Sequence, residues 1–62
     1  MTSNNASAAT RSAELERIAH YRKQAAQYRQ WAADEAVAEA RDGLLDMARQ
    51  YDGLAGHLEA KR

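Results

Sequence analysis

The chain contains no cysteine, so it can form neither a disulfide nor a thiolate-ligated metal site. A protein of 62 residues buries too little surface for a large core, and disulfides, metals or association usually compensate. With disulfides excluded, association is the remedy that the composition favours. The missing cysteine also fits a reducing compartment, and we expect a cytoplasmic location.

Proline is absent and glycine occurs only three times, while alanine, arginine, glutamine and glutamate are abundant. Because these abundant residues favour helix, the composition predicts an all-α protein without strands. Alanine supplies 15 of the hydrophobic residues, so large apolar side chains are few and the core is thin.

Long hydrophobic runs are also missing, since none approaches the roughly 18 apolar residues that span a bilayer. The first ten residues are rich in Ser, Thr, Asn and Ala and lack the basic and apolar regions of a secretory signal. We expect a soluble protein with no membrane partner, whose residues 1–10 form a disordered tail.

The chain has no net charge, which argues against a general phosphate-binding or anionic-membrane surface. The charges are nevertheless unevenly distributed. Residues 11–33 carry five positive and two negative side chains, whereas residues 34–60 carry seven negative and two positive. The two halves are therefore electrostatically complementary.

Each half carries an apolar stripe with the alternating three- and four-residue spacing of a coiled-coil helix. In the first half the stripe consists of Ile18, Tyr21, Ala25, Tyr28 and Ala32, with Leu15 one turn earlier. In the second half it consists of Val37, Leu44, Tyr51 and Leu58, interleaved with Ala40, Met47 and Leu54 and flanked by Ala48 and Ala55. Two amphipathic helices follow, at about residues 11–33 and 35–60.

The two stripes match as mirror images about Asp34 and Glu35, which favours an antiparallel hairpin over one continuous helix. Asp34 is a candidate cap for the second helix. The mirror register pairs Ile18 with Tyr51, Tyr21 with Ala48, Ala25 with Leu44, and Ala32 with Val37. It also brings Arg22 near Asp46, and Arg29 near Glu39 and Asp42. Because neither Gly nor Pro marks the turn, a continuous helix stays open as the alternative.

After the hairpin closes, several large apolar side chains remain poorly covered, which predicts a partner interface. The predicted interface residues are Trp31, Leu45, Met47, Leu54 and Leu58. A homodimer that forms a four-helix bundle is the simplest closed assembly for such a surface. Gly53 and Gly56 lie away from the stripe, where they either admit a partner helix or are simply tolerated.

Chemical activities find little support in the sequence, and we expect no enzyme, cofactor or metal. His20 and His57 lie about eight residues apart in the mirror register, too far to share an ion. His20 with Lys23 loosely resembles histidine phosphotransfer bundles, but Gln24 replaces the glycine that follows in that family. Arginines interleaved with tyrosines are a possible nucleic-acid surface, although the chain has no excess positive charge.

One pattern in the second half resembles that of short uncharacterised bacterial helical-hairpin proteins. It runs Arg41-x-x-Leu44-Leu45-x-Met47-Ala48-x-x-Tyr51-x-x-Leu54-Ala55, preceded by Arg29-x-x-Ala32. In that family an Asp-Pro turn precedes the arginine, whereas Val37 and Ala38 stand there in this chain, which could shift the turn toward residues 36–39. The resemblance implies a hairpin and brings no activity with it.

These observations favour a non-enzymatic interaction module that either self-associates or serves as an accessory subunit of a larger assembly. The alternatives are a small regulator that binds a signalling or transcription protein and, less favoured, a hairpin that binds nucleic acid.

Overall fold

The structure is a computed structural model that describes the backbone of residues 2–61 and the side chains of residues 10–61. Two helices, α1 (Thr2–Asp34) and α2 (Ala38–Ala60), are joined by a loop of residues 35–37 and pack against each other. Between residues 2 and 61 there is no strand. The predicted all-α two-helix hairpin is confirmed, and the alternative of one continuous helix is wrong.

The loop forms without glycine or proline because two local hydrogen bonds close it. The backbone N–H of Glu35 donates to the Ala32 carbonyl at 3.2 Å, and the Glu35 carboxylate accepts from the Val37 N–H at 3.0 Å. Val37 precedes α2 in an extended conformation (φ −86°, ψ 120°), which suits a β-branched residue. The predicted cap at Asp34 is wrong, since Asp34 ends α1 and Val37 precedes α2.

Helix α1 begins at Thr2, whereas the sequence predicts a helix start near Arg11 and a disordered tail before it. The helix continues through this segment because no proline or glycine interrupts it. Glu59, close to the end of α2, forms an ion pair with Arg22, so the first turns of α1 extend beyond α2. Met1 and Arg62 lie outside the described residues.

The interface between the helices is built largely from alanine. Ala25, Ala32, Ala48 and Ala55 are buried together with Ile18, and among residues 10–61 no large side chain is completely enclosed. Small residues at a helix contact allow the two backbones to approach closely. The predicted stripe of α1 is therefore confirmed from Ile18 to Ala32, whereas Leu15 is 47% exposed. In α2 the buried positions are Ala48 and Ala55 instead of Met47 and Leu54.

Three half-buried tyrosines, Tyr21, Tyr28 and Tyr51, lie in the same interface. Together with the buried residues they form the contact between the helices, here called the seam. The Tyr51 ring stacks on Tyr28 with centroids 5.6 Å apart and planes at 14°, and it lies 6.0 Å from the Tyr21 ring. Tyr51 thus lies between two tyrosines that are one heptad apart on α1, level with about residues 24 and 25.

The predicted pairing register is therefore wrong by about seven residues, or roughly 10 Å along the helix axis. Tyr51 lies against Tyr21 and Tyr28 and not against Ile18. Arg22 pairs with Glu59 and Arg29 with Asp52 instead of the predicted partners Asp46, Glu39 and Asp42. Val37, predicted in the seam, is 60% exposed. A shift by one heptad leaves the seam spacing unchanged, which is why both registers satisfy the pattern.

The hairpin is a single layer of helices, with principal extents of 56 × 16 × 9 Å. Its thickness is about that of one helix, so neither broad side of the layer is covered by another element within residues 2–61. Compact domains bury a helix stripe between layers, and this hairpin leaves two sides open.

Candidate interaction surface

The two broad sides of the hairpin carry different residues, which follows from helical geometry. Arg22 and Arg29 each follow a seam tyrosine, whereas Gln24 and Trp31 each precede a seam alanine. Successive residues turn by about 100° around a helix, so these two pairs lie on opposite sides of the seam. The same relation holds in α2, where Asp52 and Glu59 follow seam residues and Met47 and Leu54 precede them.

One side, here called the ion-pair flank, is held together by charge. Arg29 Nη1 donates to Asp52 Oδ2 at 2.7 Å, and Arg22 donates to Glu59. These side chains are about half exposed, so each pair contributes about 0.2–1 kcal/mol. The ion-pair flank comprises Leu15, Arg22, Arg29, Leu45, Asp52 and Glu59.

Sequence reasoning missed the two carboxylates of this flank. Asp52 and Glu59 are seven residues apart, as are Arg22 and Arg29, and matching seven-residue spacings of opposite charge are typical of cross-helix pairing. Asp46, which the sequence assigned to Arg22, lies 3.8 Å from Arg49 on its own helix.

The opposite side, here called the apolar flank, is uncharged at its centre. It comprises Gln24, Trp31, Met47 and Leu54. Trp31 is 49% exposed and Leu54 is 46% exposed, while Gln24 and Met47 are half-buried. The ion pairs show that the positions directly after Tyr21, Tyr28, Tyr51 and Leu58 lie together on one broad side of the hairpin. The positions directly before the seam alanines therefore lie together on the opposite side. The apolar flank is thus a surface with exposed large apolar side chains.

The Trp31 indole packs against a neighbouring ring. It meets the Tyr28 ring edge to face, with centroids 5.3 Å apart and planes at 85°. Tyr28 in turn stacks on Tyr51 across the seam, so the indole is anchored to the interhelical core. An aromatic side chain that is oriented before binding loses little conformational freedom when a partner covers it.

The five predicted interface residues do not form one surface. Trp31, Met47 and Leu54 lie on the apolar flank. Leu45 follows Leu44 and therefore lies on the ion-pair flank, close to the loop. Leu58 is half-buried and belongs to the seam itself.

The two histidines lie nearly level in the observed register, so the predicted offset of about eight residues is wrong. Both precede a seam residue, Tyr21 or Leu58, on the outer edge of the apolar flank. The His20 ring lies 6.1 Å from the Tyr21 ring. Among residues whose positions the structure describes, no group of three or more His, Cys, Asp or Glu side chains could hold a metal ion.

Comparisons with known proteins give no indication of function, so the two flanks of the hairpin are the main guide to it. The chain matches no family model, no curated protein and no solved structure. Within residues 2–61, neither helix combines the length and the apolar character that crossing a membrane requires.

Proposed function

We propose that this hairpin is a non-enzymatic interaction module whose apolar flank docks against helices of another protein surface, through self-association or as an accessory subunit. The observation that carries the proposal is the exposure of Trp31 and Leu54 on one side of a single-layer hairpin. The charges of the other side are already paired with each other.

The thin core supports the same proposal. Among residues 10–61 the buried residues are one isoleucine and four alanines, and burial of this size cannot by itself offset an ordering cost of about 1.5 kcal/mol per residue. A partner that covers the apolar flank would add the buried apolar area that the isolated hairpin lacks. Interaction and stability are therefore linked in this chain.

A matched pair of leucines tests the proposal. Leu54 on the apolar flank and Leu15 on the ion-pair flank are 46% and 47% exposed, so replacing either with serine removes a similar exposed side chain. We expect Leu54→Ser to weaken association by about tenfold or more, as for an interface anchor, and Leu15→Ser to leave it nearly unchanged. Light scattering on a concentration series measures self-association.

An accessory role is tested by capture from native lysate with the same variants as bait. The wild type and Leu15→Ser should retain one stoichiometric protein that Leu54→Ser loses. The proposal is wrong if the wild type neither self-associates nor retains such a partner, or if the two serine variants behave alike.

A further inference from the structure

The apolar flank ends in opposite charges. The exposed Arg17 and Lys61 continue it at the open end of the hairpin, and the exposed Asp34 lies beside the loop. Arg17 stands one heptad before Gln24, and Lys61 one heptad after Leu54, so both lie on this side of the seam.

The two ends of the whole hairpin also differ in charge. Residues 28–47, at the loop end, carry five carboxylates and two arginines, whereas residues 11–27 and 48–61 together carry six basic and four acidic side chains. The molecule is therefore acidic at the loop end and basic at the open end. A partner with the reverse polarity along its length would complement it.

We propose that the partner on the apolar flank is a second copy of this chain, packed face to face with its loop at the opposite end. This inference rests on the proposed function, because it requires the flank to be a docking surface. A copy turned end for end supplies the reverse polarity, so the acidic loop end of each chain lies over the basic open end of the other. The resulting four-helix bundle is isologous.

A single two-fold axis satisfies both helices. If the axis crosses the flank at Gln24, then Gln24 faces its own copy and Arg17 of one chain meets Trp31 of the other. Since Tyr51 lies level with about residues 24 and 25, the same axis passes midway between Met47 and Leu54. Met47 of each chain then faces Leu54 of the other. The Arg17 guanidinium of each chain approaches the face of the Trp31 indole of the other, and a cation is attracted to the face of an aromatic ring.

The arrangement with both loops at the same end lacks these advantages. Each α1 would then face α2 of the other chain, which brings Arg17 close to Lys61 and places two acidic loop ends together. Like charges at an interface disfavour a pairing.

The apolar flank is large enough for a stable dimer interface. The 23 residues of α2 and a width of two helices give roughly 700 Å², close to the roughly 800 Å² that each partner buries in a standard interface.

The absence of cysteine from the chain makes the axis testable by disulfide formation. In a Gln24→Cys variant the two thiols lie at the axis, within the short Cβ separation that a disulfide requires. We expect this variant, after its helicity and its mass in reducing buffer have been checked, to form a covalent dimer under mild oxidation. Gln30→Cys, on the outer side of α1, is the control and should stay reduced.

The salt dependence of the wild-type dimer tests the charge argument separately. We expect its dissociation constant to rise roughly threefold when added salt screens the charges at the two ends of the hairpin.

The outcomes separate the two proposals. A dimer in which Gln24→Cys stays reduced but crosslinks to a Gln50→Cys chain, or which tightens with added salt, overturns the end-for-end arrangement and leaves the docking surface intact. A chain that stays monomeric at every concentration overturns the second copy as the partner, and the leucine variants then decide whether the flank binds another protein.

Discussion

At the scale of single residues, one aromatic side chain does most to hold the two helices in register. Tyr51 contacts both Tyr21 and Tyr28. The buried alanines, in contrast, recur every seven residues on each helix, so their spacing is the same one heptad further along. The ring cluster therefore distinguishes between registers that alanine packing alone leaves nearly equivalent. Trp31 depends on the same cluster through its contact with Tyr28.

We predict that Tyr51→Ala lowers the free energy of unfolding by about 2 kcal/mol, since it removes two ring contacts from a half-buried site. Tyr51→Phe keeps the ring and should cost much less. Thermal unfolding followed by circular dichroism measures both variants. Equal losses for alanine and phenylalanine would show that the hydroxyl group, and not the ring stack, stabilises the hairpin.

Gly53 provides a second prediction at this scale. A Cβ placed on Gly53 meets nothing within 4 Å, so the glycine is not needed for packing within the hairpin. Replacing it with alanine should raise the free energy of unfolding by about 1 kcal/mol through helix propensity alone. Chemical denaturation checks the gain. If Gly53→Ala instead weakens association, a partner helix approaches this outer face of α2.

At the scale of the elements, the helix pattern was predictable from the sequence, but the pairing of the helices was not. The seam of α1 repeats every seven residues, and any pairing shifted by seven presents the same side chains. The turn that joins the helices involves the Glu35 carboxylate and the extended Val37, and neither residue is a typical turn former. The mirror register is centred on Asp34 and Glu35, whereas the loop of the chain is residues 35–37.

The candidate surface was predictable to a similar degree. The sequence predicts that Trp31, Met47 and Leu54 stay poorly covered when the hairpin closes, and these three residues lie on one side of the hairpin. Leu45 and Leu58 lie elsewhere because the buried stripe of α2 runs through Ala48 and Ala55. A stripe that buries alanine and exposes leucine inverts the usual size preference, and hydrophobicity alone does not identify it.

The N-terminal part of α1 gives a prediction at the element scale. Because these turns extend beyond α2, deletion of residues 2–9 leaves in place the interhelical ion pairs and the buried seam residues that the structure describes. The free energy of unfolding should change by less than about 0.5 kcal/mol, as for surface changes generally. Urea denaturation of the shortened chain measures this. A loss of several kcal/mol would indicate that these residues contact the hairpin or a partner.

At the scale of the whole molecule, the hairpin of residues 2–61 is a single layer of two helices with different residues on its two broad sides. One side is closed by its own ion pairs, the other presents oriented apolar side chains, and the interior between the helices is mostly alanine. Such a layer gains stability when a similar layer covers its apolar flank, so folding and association should depend on each other.

The single tryptophan reports directly on whether that flank is covered. In the isolated hairpin Trp31 is 49% exposed, whereas a docked second copy would shield the indole from water. The decisive measurement is the emission of Trp31, and its quenching by iodide, over a dilution series in which helicity is monitored in parallel. We predict blue-shifted, protected emission at high concentration that shifts to the red as the chain is diluted. An emission that stays red and fully quenchable while the chain is helical at every concentration would contradict the account.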